Sequence, residues 1–94
     1  MGINCYLYIP GDETPYEDIG HMLMRNNNFM AKYFSDDGND KLFDHEKDVR
    51  EIIDIVMQEI SQGEEFSEEI GEVIMVCGFL IAKNHLPCII SYCP

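Results

Sequence analysis

The hydrophobic periods of this chain predict an α+β fold: a small, mostly antiparallel sheet of about four strands with two or three helices packed on one face. Three observations carry that expectation. Ile3, Cys5, Leu7 and Ile9 alternate with Asn4, Tyr6 and Tyr8, the two-residue period of a strand buried on one face. Val49, Ile52, Ile53, Val56, Met57 and Ile60 recur at helical spacing and form the apolar stripe of an amphipathic helix. The β-branched and aromatic run Cys88-Ile89-Ile90-Ser91-Tyr92-Cys93 then reads as a strand again.

Taken in order, residues 3–9 form the first strand, and Pro10-Gly11-Asp12-Glu13 a turn. Thr14 stands where a helix N-cap would, before Pro15 at the first helical position, with Glu17 and Asp18 in a first turn that favours acids. Ile19, Met22 and Leu23 give that expected helix an apolar face, and Asn26-Asn27-Asn28 stop it. Residues 29–34 read as a second strand and 41–43 as its short partner. Between them Ser35-Asp36-Asp37-Gly38-Asn39-Asp40 has hairpin-loop chemistry, with Gly38 able to take positive φ.

Asp44 caps the amphipathic helix, expected over about 45–62, and Gly63 is placed to end it. Phe66, Ile70, Val73, Ile74, Cys77 and Ile81 again follow helical spacing, with Ser67 as a cap. Met75, Val76, Phe79 and Leu80 make the second half apolar on every side, which predicts either the central helix of the fold or half of a homodimer interface through residues 73–82. Two strands broken at Gly78 are the alternative reading of 68–82. Terminal strands need neighbours, so the first and last are expected to pair inside the sheet.

Composition bounds the rest. Ninety-four residues suit one acidic globular domain over 1–94, with a radius of gyration of about 12–13 Å. At 46 % hydrophobic residues the chain is too apolar for an acidic disordered tail. The longest apolar run, residues 73–82, is half of the roughly 20 residues a bilayer-spanning helix needs, and the first residues lack the basic and apolar regions of a signal peptide. A cytoplasmic location with reduced thiols is expected.

The strongest functional signal is charge. Residues 36–72 hold fourteen of the eighteen acids against only Lys41, Lys47 and Arg50, and so carry eleven of the net twelve negative charges. Such a surface repels nucleic acid and anionic membrane and attracts basic partners over about 8 Å at physiological salt.

The chemical motifs point away from catalysis. Cys5, Cys77, Cys88 and Cys93 form no CxxC pair. Cys88 and Cys93 stand at odd separation, so on a regular strand they face opposite sides and do not complete a zinc set with His85. A Cys–His nucleophile from Cys88 and His85 lacks the neighbouring positive charge that lowers a thiol pKa. The Asp36–Asp40 loop has calcium-loop composition, but the register that seats Gly38 puts Tyr33 where a carboxylate ligand belongs. No cofactor is expected, and nothing in the spacing argues for an enzyme.

The acidic face therefore carries the functional reading. Helical geometry places Asp48, Ile55 and Glu59 on one flank of the 45–62 helix, with Glu51 and Gln58 away from the apolar stripe. Ile55 among acids has the composition of an interface centre with a charged rim. Glu64, Glu65, Glu68, Glu69 and Glu72 extend the band, and Asp36, Asp37 and Asp40 continue it at the hairpin tip. One reading is a solvated face that keeps the protein soluble, the chain being a non-enzymatic homodimeric regulatory or ligand-sensing domain built on residues 73–82. The other is a nucleic-acid mimic that occupies the basic groove of a nucleic-acid-binding protein or nuclease, with Ile55 and tyrosines at 6, 8, 16 and 33 as anchors. In size and charge the chain resembles phage counter-defence proteins and nuclease-toxin immunity proteins. That resemblance is one of composition and is carried by no motif.

Overall fold

A computed structural model of the chain describes residues 4–23, 27–83 and 85–93. The strands expected over 3–9 and 88–93 become the centre of one antiparallel sheet. Strand β1 (Asn4–Tyr8) pairs along its length with β4 (Cys88–Cys93), and the short strands β2 (Glu17–Asp18) and β3 (Lys41–Phe43) flank them in the order β2-β1-β4-β3. The register sets Cys5 opposite Tyr92, Leu7 opposite Ile90 and Phe43 opposite Cys88. All six are buried, so every inward side chain meets an inward partner across the ladder. The expected α+β class and the internal pairing of the first and last strands are both seen; Ile3 lies outside the described residues.

Two expectations between β1 and β3 are overturned. No helix follows Thr14. Instead Tyr16 N–H donates to Leu7 C=O at 2.7 Å and Ile19 N–H to Cys5 C=O at 2.9 Å, so this segment satisfies the edge of β1 that β4 leaves open. Ile19 is buried there, and Asp18 Oδ1 accepts from Gly20 N–H at 2.9 Å where a single 3₁₀ turn, Gly20–Met22, begins. The residues that suggested a helix start thus serve a strand edge and a 3₁₀ turn.

The second strand expected over 29–34 is helix α1 (Asn28–Tyr33). Asn27, read as part of a helix stop, is its N-cap: Asn27 Oδ1 accepts from Phe29 N–H at 2.9 Å and Met30 N–H at 3.1 Å. Met30, Tyr33 and Phe34 are all buried, and their spacing of three and four residues is helical. Asn26 lies outside the described residues. The turn that follows does take hairpin chemistry, since Asp37 and Gly38 have φ of 54° and 84° and Asp36 and Asn39 exchange two backbone hydrogen bonds. It joins a helix to β3, however, and not two strands.

Helix α2 (Glu46–Ser61) is the amphipathic helix, burying Val49, Ile52 and Val56. Its N-cap is His45, one residue after the expected Asp44; Asp48 Oδ2 accepts from both Asp44 and His45 N–H, at 3.1 and 2.9 Å. Gly63 ends it at φ 110°, with Gly63 N–H bonded to Ile60 C=O and Glu64 N–H to Glu59 C=O, a Schellman motif.

Residues 68–82 lie in one helix, α3 (Glu68–Lys83), which settles the helix-or-strands alternative. Ser67 Oγ accepts from Ile70 N–H at 3.3 Å as the expected cap. Helix α3 packs against α1, α2 and the 3₁₀ turn, and buries Ile70, Val73, Val76, Cys77 and Leu80 in the core shared with the sheet. It is central but not enclosed, because Met75, Gly78 and Ala82 remain on its outer side.

Candidate interaction surface

The acidic flank of α2 faces a cleft of about 420 Å³. Lys32 and Tyr33 of α1, Lys41 and Leu42 of β3, and Asp48, Glu51, Ile52 and Ile55 of α2 line it. Each element delivers its residues for a local reason. Strand alternation that buries Phe43 must turn Leu42 outward, and Leu42 is 55 % exposed. The α2 stripe that buries Ile52 and Val56 leaves Ile55 on its shoulder, 38 % exposed. The result is an apolar floor with two carboxylates on one side and two ammonium groups on the other.

Those ammonium groups are already engaged within the fold. Lys32 Nζ lies 3.1 Å from Glu59 Oε1, which also accepts from Tyr33 Oη–H at 2.7 Å. The Tyr33 hydroxyl and the Lys32 ammonium hold the Glu59 carboxyl below its ordinary pKa. Burial, followed by the hydrogen bond to Glu59, pushes the Tyr33 phenol up. Lys41 Nζ donates to Tyr33 C=O at 3.1 Å, tying β3 to the end of α1. At the other end of α2, the backbone N–H groups of His45 and Asp44 hold Asp48 below its ordinary pKa. Arg50 pairs with Glu46 at 2.7 Å.

The acids singled out in the sequence divide into three groups. Asp36, Asp37, Asp40, Glu51, Glu64, Glu65 and Glu68 are exposed. Asp48, Glu59 and Glu69 are half-buried, the first two committed to the helix cap and the Lys32–Tyr33 cluster. Glu72 is buried, which corrects its place in the band: its Oε1 accepts from Asn27 Nδ2 at 2.9 Å. The same Nδ2 donates to Glu69 C=O, and Tyr92 Oη accepts from Asn27 N–H while donating to Asn27 C=O. This network fastens the start of α1 to α3 and β4. The anionic band is therefore broken at Glu72 and crossed by Lys32 beside Glu59.

Among the tyrosine anchors, Tyr16 is 58 % exposed, Tyr6 and Tyr8 are half-buried, and Tyr33 is buried and belongs to the core. Leu42, Lys32 and Lys41 were missed by sequence reasoning. The alternation Lys41-Leu42-Phe43 held the signal for Leu42, whereas the lysines depend on a tertiary approach of α1 to α2.

Three of the four thiols are buried and one, Cys93, is exposed. Cys5, Cys77 and Cys88 are buried, and desolvation pushes their pKa values up to about 12, 12 and 11, with the Asp18 charge adding to Cys5. His85 packs against Tyr16 and Phe79, with Nε2 3.8 Å from Glu17. Among the described residues no three or more His, Cys, Asp or Glu side chains converge as a metal site, and no helix is long and apolar enough to cross a membrane.

Comparison with protein-family models, with curated proteins and with solved structures finds no match to this chain. The geometry thus defines an α+β fold with an apolar cleft set in an acidic surface.

Proposed function

We propose that this chain is a small acidic protein-binding inhibitor that occupies the basic nucleic-acid-binding surface of a partner, a nucleic-acid-binding protein or nuclease. The observation that carries this reading is the exposed pair Leu42 and Ile55, on a cleft whose α2 wall is Asp48 and Glu51. An apolar centre with a charged rim is how interfaces concentrate binding energy, the desolvated anchors supplying affinity and the rim supplying orientation and on-rate. The turn acids Asp36, Asp37 and Asp40 precede β3, and Glu64, Glu65 and Glu68 follow α2, so exposed carboxylates continue the charge along the chain on both sides of α2. Inhibition comes from occupancy: carboxylates pair with the Arg and Lys that otherwise hold phosphate. The chain itself performs no chemistry and binds no nucleic acid directly. The free thiols support a reducing, cytoplasmic setting.

The test is capture on the immobilised chain from a nuclease-treated lysate, eluted by a salt gradient, beside a variant carrying Glu51→Gln, Glu64→Gln, Glu65→Gln and Leu42→Ser. Recovery of a basic nucleic-acid-binding protein, lost with the variant and displaced by added duplex DNA, is the expected result. Equal capture by both forms, or a partner that DNA does not displace, would sink the reading.

A further inference from the structure

Strand β3 ends the sheet, and among the described residues β4 is its only strand neighbour. An edge strand offers backbone N–H and C=O groups on the side away from its neighbour. The cleft beside α2 lies along that side. Lys41 and Leu42 both border it, and adjacent residues of a strand project to opposite faces, so the cavity runs past the strand's rim. Helix α2 forms the far wall from Asp48 to Ile55, a rise of about 10 Å, and the three residues of β3 also extend about 10 Å. Strand and helix thus bound a slot as long as one more short strand.

We propose that this slot takes an extended segment of the partner, which adds to β3 as a further strand and presents one basic side chain followed by two aliphatic ones. The inference rests on the inhibitor reading for the class of partner and says how that partner is held. In strand addition the main-chain bonds to an open edge give affinity, and the surrounding walls select alternate side chains.

Two contacts orient the walls. Asp44, next after Phe43, donates its N–H to Asp48 Oδ2 at 3.1 Å, so Asp48 and Glu51 stand towards the Phe43 end of the slot. Lys41 Nζ donates to Tyr33 C=O at 3.1 Å and Tyr33 Oη–H to Glu59 at 2.7 Å, so the Lys41 end lies towards Ile55 and Glu59. A strand laid antiparallel to β3, the arrangement throughout this sheet, therefore meets the acids first. Its residue beside Phe43 faces Asp48 and Glu51 and is basic. The next, beside Leu42, lies on the outer face against that exposed side chain, and the third turns back to Ile55. The cations that border the cleft do not compete for this wall: Lys32 pairs with Glu59, Lys41 is held at Tyr33 C=O, and Glu51 is exposed with no salt bridge among the described residues.

The test is an NMR titration of the full chain with two end-blocked peptides, Gly-Thr-Arg-Val-Val-Thr-Gly and the reversed Gly-Thr-Val-Val-Arg-Thr-Gly, up to about 1 mM, where millimolar dissociation constants are read. The first is expected to bind more tightly and to shift the amides of residues 41–43 and 48–55. Alternate N–H groups of a strand face its neighbour, so methylating the nitrogen of one valine should weaken binding about tenfold and that of the other much less. Glu51→Lys should weaken it about fivefold and favour a peptide with Glu in place of Arg. Failure of the first peptide to bind, stronger binding by the reversed one, or equal loss on methylating either valine would each overturn the proposal. So would concentration-dependent shifts at residues 41–43 without peptide, which would give the edge to a second copy. Peptide binding beside failed lysate capture upholds the strand and sinks the inhibitor reading alone, whereas capture without peptide binding sinks only the strand.

Discussion

Helices α2 and α3 have the same length, sixteen residues, and pack against each other, yet they divide the work of the molecule in opposite ways. Helix α2 spends one stripe on the core, Val49, Ile52 and Val56, and exposes Glu46, Glu51 and Asp54. Helix α3 inserts Ile70, Val73, Val76, Cys77 and Leu80 into the core and shows glycine, methionine and alanine outside. The difference separates stability from charge. A chain with a net charge of −12 can hold its acids on α2 and the flanking loops because the neighbouring helix supplies much of the helical contribution to the core.

The largest test of that division is a charge placed on the inward side of α3. Val76→Asp buries an unpaired carboxylate and should cost 4 kcal/mol or more, about what exceptional single substitutions reach, giving unfolded or insoluble protein. A Val76→Asp chain with an unchanged urea midpoint would mean that α3 is not the core helix.

Alkali gives a smaller, graded version of the same comparison. Cys5, Cys77 and Cys88 keep their protons in the folded state well above the ordinary thiol value of 9.0, while the unfolded chain loses them. Their contribution is complete below pH 9.0 and falls as pH rises towards about 11 for Cys88 and about 12 for the other two. Each thiol should remove about 1.4 kcal/mol per pH unit in that window. Urea denaturation on either side of pH 9.0 checks this, and Cys77→Ala should flatten the slope by one thiol's share. An unchanged slope would place Cys77 in contact with solvent.

The smallest effect belongs to the outer face of α2. Neutralising Glu51 and Asp54 to Gln and Asn should leave stability within about 0.5 kcal/mol for each change. It should also reduce the gain in stability on adding salt, since fewer like charges remain to be screened. A loss of several kcal/mol would show these acids to be structural, as Glu72 is.

The same contrast explains what could be read from the chain. Helix α2 was legible because its period, first-turn acids and terminal glycine agree, and only the cap moved, from Asp44 to His45. The centre of the sheet was legible because β1 alternates and β4 is a β-branched and aromatic run. Segments 15–34 were not. A two-residue strand such as Glu17–Asp18 has no period, and its place follows from the open edge of β1. Helix α1 depends on Asn27, whose side chain suits a stop or a cap equally until Tyr92 and Glu72 fix it. The cleft was half legible: Ile55 stood out among acids, whereas Lys32 meets Glu59 across 27 positions of sequence, beyond any local pattern. Glu72 was misplaced for the same reason, its partner lying on another element.

Among the described residues strand β4 is the only neighbour of β3 in the sheet and the full-length neighbour of β1, and it comes after every other described element. During synthesis the helices and turns can assemble from local contacts as they emerge, but the edge of β1 that pairs with β4 must wait until residues 88–93 arrive. The ring closed when Asn4 meets Cys93 is nearly the whole described chain, and such closures carry an entropic cost that local helices avoid. The pairing of β1 with β4 thus closes the longest loop of the described chain, and a sheet edge left open before that closure is exposed to chaperones, proteases and other copies.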